Sequence, residues 1–162
     1  MTKTEILLRL LLTLHITGLV VMAGATLIDY ITFRTFWDFA DHGNSRSSLG
    51  LLPLMAKYGA LVRTGAGILF ISGIAMFMIK NSWWEQPWFK VKLVLVAILI
   101  LHGILVGNRT GINFRKMVVD NSPDFIQHVV NIRVTLNRFY LIQLALFFVI
   151  ILVSVLRSGR GS

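Results

Sequence analysis

Two histidines lie inside long apolar runs of this chain, His15 in the first run and His102 in the third. A polar side chain surrounded by lipid is costly and marks a candidate functional position. An imidazole so placed can ligate a haem iron or a metal, hydrogen-bond to a neighbouring helix, or carry a proton. His15 lies roughly nine residues into its span and His102 roughly thirteen, so at about 1.5 Å per residue their depths differ by only about 6 Å. Histidines at similar depth on two parallel helices can face each other, which is what a b-type haem or a metal held between helices requires.

The neighbours of each histidine bear on the same chemistry. At helical spacing His15 shares a stripe with Gly18, Met22, Ala25 and Asp29, and His102 shares one with Leu95, Ile98, Leu105 and Arg109. Small side chains beside a histidine leave room for a flat cofactor, or equally for a closely packed helix. Arg109 falls at the same mouth of the bundle as Arg63, Arg138 and Asp29. Such a cluster can hold haem propionates or another carboxylate-bearing ligand, or simply anchor helix ends to headgroups. His42 and His128 fall in polar stretches and read as solvated. Met76 and Met78 are two positions apart, point to different helix faces and read as core filling.

Much chemistry is excluded. There are no cysteines, hence no disulfide, thiolate metal site, CxxCH haem attachment or iron–sulfur cluster. No GxSxG, HExxH, Walker loop or GxGxxG occurs. The seven carboxylates include none in mid-membrane, which disfavours a carboxylate-based ion pump.

The elements that must position these residues are set by hydropathy. Of 162 residues, 56% are hydrophobic and 14% charged, with a mean hydropathy of +0.74; a soluble domain carries about 25% charged residues. Lipid must cover the remaining apolar surface. Four runs reach the length of a membrane helix, at about 6–28, 59–79, 89–107 and 139–156. The expected fold is therefore all-α, an integral membrane four-helix bundle with short extramembrane loops and both termini on one side. It forms a single domain over 1–157, followed by a polar tail at 158–162. Ala23-Gly24-Ala25 looks like a cleavage site, but the run before it is longer than a signal core, and it is read as a span.

Between spans two and three, Trp83, Trp84, Pro87 and Trp88 mark a short interfacial turn. The first and third connections are expected to be about thirty residues each, longer than is usual in bundles. Tyr30 to Asp41 reads as an extension of helix one or an interfacial helix, broken at His42-Gly43-Asn44-Ser45. Pro123, with Ser122 as its cap, is expected to open a short helix. Gly59, Ala66 and Gly73 form a small-residue stripe on helix two.

The formal charge of +9 sits at helix ends and belongs to membrane anchoring, not to nucleic acid. Nine Lys and Arg flank the first and third connections against seven on the other side, which leans toward termini outside.

Trp88-Phe89-Lys90-Val91-Lys92-Leu93-Val94-Leu95-Val96, followed by His102, resembles the W-x-x-x-K-L-x-L-V…H stretch of HemJ-type protoporphyrinogen oxidases, four-helix bacterial membrane proteins with CopD-like relatives. Leu14-His15-Ile16 followed by Ala23-Gly24 is similar to their first helix, and Arg138-Phe139-Tyr140 to the start of their fourth. Val20, Val21 and Met22 stand where that family usually has a tryptophan. The resemblance implies a haem-b-binding inner-membrane redox protein that oxidises protoporphyrinogen IX. His15 and His102 would then be haem or metal ligands, with Lys92 and Arg109 near opposite ends of the pocket. Two other readings stand beside it. One is a non-catalytic membrane subunit packing against a partner or itself, and the other a CopD-like metal-handling protein.

Overall fold

A computed structural model of the chain describes residues 2–79, 85–113 and 125–158. Among the described residues four helices carry the architecture: α1 (Lys3–Asp41), α2 (Ser45–Ile79), α3 (Pro87–Asn113) and α4 (Phe125–Ser158). Each is long and apolar enough to cross a membrane. The chain is a multi-pass membrane protein of the all-α, four-helix class.

Charge placement sets the depth. Asp, Glu, Lys and Arg are absent from 10–28, 64–79, 93–108 and 139–156, which matches a hydrocarbon core about 30 Å thick at about 1.5 Å per residue. The side chains there that face outward are apolar, as lipid demands: Leu10, Val20, Ile71 and Phe148 are all more than half exposed. Serine and threonine hydroxyls in the spans donate to carbonyls of their own helix. Thr26, for example, donates to the Met22 carbonyl at 2.8 Å and Ser154 to Ile150 at 2.8 Å.

The helices overrun the membrane, and this corrects the expected connections. The first connection is only His42, Gly43 and Asn44, because 30–41 continues α1 and 45–58 already belongs to α2. Gly43 takes φ 73°, the left-handed conformation that ends a helix. The Asn44 N–H returns to the Phe39 carbonyl at 2.9 Å, and the Asn44 side chain accepts from Ser47 N–H at 3.3 Å to start α2. At the other end, 125–138 belongs to α4, so His128 is in a helix and not a loop. Ser122, Pro123, Trp83, Trp84 and the tail after Ser158 lie outside the described residues.

Beyond the membrane boundary α1, α2 and α4 form a cap with its own core. Phe33, Phe36, Trp37, Leu52, Met55, Leu136 and Tyr140 are all buried there. The rings meet edge to face, Phe36–Trp37 at 5.3 Å and Phe33–Trp37 at 6.2 Å. Water drives this packing, whereas helices inside lipid gain little from apolar contact. Arg133 ties α4 to α1 with a forked pair to Asp41 at 3.0 and 3.2 Å, its guanidinium 5.0 Å from the Trp37 ring.

His42 closes the α1–α2 turn. Its Nδ1 lies 2.7 Å from the Asp38 carbonyl and 3.6 Å from the Asp38 carboxylate. That hydrogen bond, backed by the Asp38 and Asp41 carboxylates, raises its pKa above the ordinary 6.5. The cation is the form the fold favours, so its contribution to stability is complete below 6.5 and disappears as pH rises through the raised folded value. An NMR titration is expected to find a midpoint above 6.5, and Asp38→Asn is expected to move it part of the way back, since the carbonyl bond remains.

Within the membrane α1 and α2 pack along their length, α3 packs on α4, and α1 also touches α4. The α1–α2 approach is closest where Gly18 meets Gly65: a Cβ added at Gly18 would lie 2.9 Å from the Gly65 carbonyl oxygen and 2.9 Å from Leu69 N. Of the expected stripe on helix two, Gly73 makes room for the His15 ring of α1. Gly59 and Ala66 border an opening, with Ala66 also packed against the cluster that holds Met22 of α1.

Candidate ligand site between the helical hairpins

The opening lies between the α1–α2 hairpin and the α3–α4 hairpin. Phe77 and Phe89 stack at 5.7 Å and 5° beside the α2–α3 connection, and the two helices separate from there. The cavity so formed has a volume of about 440 Å³, within the roughly 300–1,000 Å³ of small-molecule sites. Its apolar wall includes Met22, Met55, Val62, Ala66, Leu99, Ile100, Ile104 and Leu136. Its polar wall is Thr26, Asp29, Arg63, Tyr140 and Gln143. It straddles the membrane boundary, reaching from the cap at Met55 and Leu136 to Met22 and Leu99 inside the bilayer.

Glycines on α3 hold that wall back. Gly103, Gly107 and Gly111 all line the cavity, and a Cβ at Gly107 would collide with the Phe139 ring. The helix takes a π turn over Gly103–Asn108, directly after His102. Such turns often sit at functional sites. They also shift the helical phase of later residues, because each residue of a wider turn rotates the helix less than an α-helical residue does. Arg109 therefore leaves the stripe of His102, and it is exposed and absent from the cavity wall.

Polar side chains gather at one level near the boundary. The Tyr140 hydroxyl donates to the Asp29 carboxylate at 2.8 Å, joining α4 to α1. Arg63 folds back one turn along α2, its Nη1 3.8 Å from where a Gly59 Cβ would stand, which brings the guanidinium toward the same level. Among the described residues Arg63 makes no ion pair. Slightly deeper, Gln143 is buried and its Oε1 accepts from His102 Nδ1–H at 3.2 Å. The Phe139 ring stacks on the His102 imidazole at 5.1 Å.

His15 stands elsewhere, on the α1–α2 seam. The Ser72 hydroxyl donates to the Ile68 carbonyl at 2.7 Å, so its oxygen accepts from His15 Nδ1–H at 3.0 Å. Each histidine is thus held through Nδ1 by a different partner, Ser72 of α2 for His15 and Gln143 of α4 for His102. Met22 of α1 and Leu99 of α3 share one buried cluster. On these parallel helices that register sets His15 level with Lys92 and His102 level with Ala25. Ten positions separate Ala25 from His15, roughly 15 Å of helix rather than the 6 Å expected from span limits. A single metal ion holds each imidazole nitrogen at roughly 2 Å, so His15 and His102 do not fit as two ligands of one iron. No group of three His, Asp or Glu side chains suited to a metal occurs among the described residues.

The four expected site residues therefore divide among different places. His102 stands behind the cavity through Gln143 and Phe139, and His15 lies on the seam. Lys92 lines a separate cleft of about 60 Å³, and Arg109 is outside. Gln143, Tyr140 and Arg63 stand on the polar wall with Thr26 and Asp29, and Gln143 is not among the residues expected from sequence. Its signal was present: it is the one amide or charged side chain in the run 139–156. No protein family, curated protein or solved structure matches this chain.

Proposed function

We propose that the chain is a membrane-embedded binding protein for a flat, apolar small molecule with an acidic edge, the chemical class of the tetrapyrroles. The observation that carries this reading is the cavity between the hairpins, apolar over most of its wall and furnished at the membrane boundary with Arg63. An apolar ring partitions into the bilayer and keeps its carboxylates at the interface, where a guanidinium forms charge-assisted hydrogen bonds with them. The resemblance of the Trp88–His102 stretch to HemJ-type proteins supports the same class of ligand. It also implies haem b and redox chemistry, but the two histidines do not fit as a haem clamp, and the tetrapyrrole is better read here as substrate or cargo. The charge bias of the connections supports a cap in the cytoplasm and termini outside, in a bacterial inner membrane.

Detergent-purified protein titrated with protoporphyrin IX, followed by porphyrin absorption and fluorescence, tests this. Near-stoichiometric binding is expected. Arg63→Met is expected to weaken it by about tenfold or more, as loss of a charged hydrogen bond does. Ala66→Phe, which fills the cavity, is expected to abolish it. An absence of porphyrin binding, or binding indifferent to both substitutions, overturns the proposal. A pyridine haemochrome assay on the protein as purified measures any haem it carries.

A further inference from the structure

The deep end of the cavity presents a polar group that an acidic edge does not use. Gln143 is 5% exposed. Its Oε1 is committed to His102 at 3.2 Å, while its Nε2 stands 3.7 Å from where a Cβ of Gly103 would be, on the cavity wall. No protein acceptor faces that amide nitrogen among the described residues. His102 holds the orientation, since its Nδ1–H needs the amide oxygen and the stacked Phe139 ring keeps the imidazole in place.

A buried amide N–H inside the bilayer wants a neutral acceptor, because an ion at that depth loses more hydration than the bond returns. The space beside it suits a ring, as Phe139 and the glycine positions of α3 form the wall. Access is from lipid. Ile100 and Ile104 both line the cavity and are 39% and 56% exposed on the outer face of α3. They form the rim of a gap toward α2, through which an apolar tail can remain in the membrane.

We infer that the deep end of this cavity is a carbonyl-recognition site for a lipid-soluble quinone, whose ring oxygen accepts a hydrogen bond from Gln143 Nε2. The inference rests on the reading of the cavity as a ligand site and adds a second ligand class that competes for the same space.

A short-chain ubiquinone analogue, labelled with carbon-13 at its carbonyls, is titrated into the full-length protein in detergent while the infrared carbonyl band is recorded. Saturable binding with a carbonyl band shifted to lower frequency is expected. Gln143→Leu is expected to bind about tenfold more weakly and to leave the band unshifted. A second comparison needs no substitution: a ring analogue with methyl groups in place of the carbonyls is expected to bind wild-type protein about tenfold more weakly. Protoporphyrin IX is expected to displace the quinone. If wild-type protein binds porphyrin but no quinone, or binds quinone with an unshifted band, the quinone site is overturned while the cavity reading stands. If it binds neither, both fall.

Discussion

Phe33→Ala is expected to destabilise the protein by about 3–5 kcal/mol, the range for deleting a buried aromatic ring. Phe33 is 1% exposed at the centre of the cap and contacts Trp37 and Tyr140, at ring distances of 6.2 and 5.6 Å. Part of the loss is transfer of the ring to water, and part is the void left among aromatic side chains that cannot close around it. Leu10→Ala provides the contrast. Leu10 is 59% exposed on a lipid-facing surface, and removing it exchanges side chain for lipid tail at little expense. Reversible unfolding in mixed micelles, followed by tryptophan fluorescence, measures both. Equal effects for the two variants would mean that the cap is no water-driven core.

The second large effect is at the α1–α2 crossing. Gly18→Leu is expected to separate the two helices and prevent a stable fold, and Gly18→Ala to cost about 1–3 kcal/mol through overpacking. The atoms in the way, the Gly65 carbonyl oxygen and Leu69 N, are backbone and cannot rotate aside. Gly67→Ala is the matched control, because a Cβ there meets nothing within 4 Å. Its helix propensity alone predicts a slight gain. The same unfolding assay separates the two: Gly18→Ala as stable as Gly67→Ala would remove the close crossing.

The cavity residues show where sequence reasoning reaches and where it stops. Arg63 and Asp29 were visible as charges at a shared boundary, because lipid forbids charge in the spans and leaves it at their ends. Gln143 is equally visible as an amide in an apolar run, but nothing in the sequence ranks it beside two histidines. The structure holds those histidines on different seams, His15 on Ser72 and His102 on Gln143, for a definite reason. The ends of hydrophobic runs give depth only to within a few residues, whereas register comes from which side chains pack together, and here Met22 and Leu99 fall in one buried cluster. An offset of a few residues at about 1.5 Å each is enough to separate two metal ligands.

The sequence by itself determined the class of the protein. Hydropathy and charge fix the number of spans, their approximate limits and the membrane as solvent, since backbone in lipid has no alternative to the helix. It determined the break at Gly43 as well, through local backbone chemistry. Only the tertiary structure decided that α1, α2 and α4 continue past the bilayer into an aromatic cap, because polar and apolar residues interleave there and the pattern serves an interfacial helix equally well. Only it decided that Gly18 and Gly65 meet while Gly59 and Ala66 border a cavity. The rotation and register of neighbouring helices depend on the sum of many weak contacts, and no residue carries that sum in its own identity.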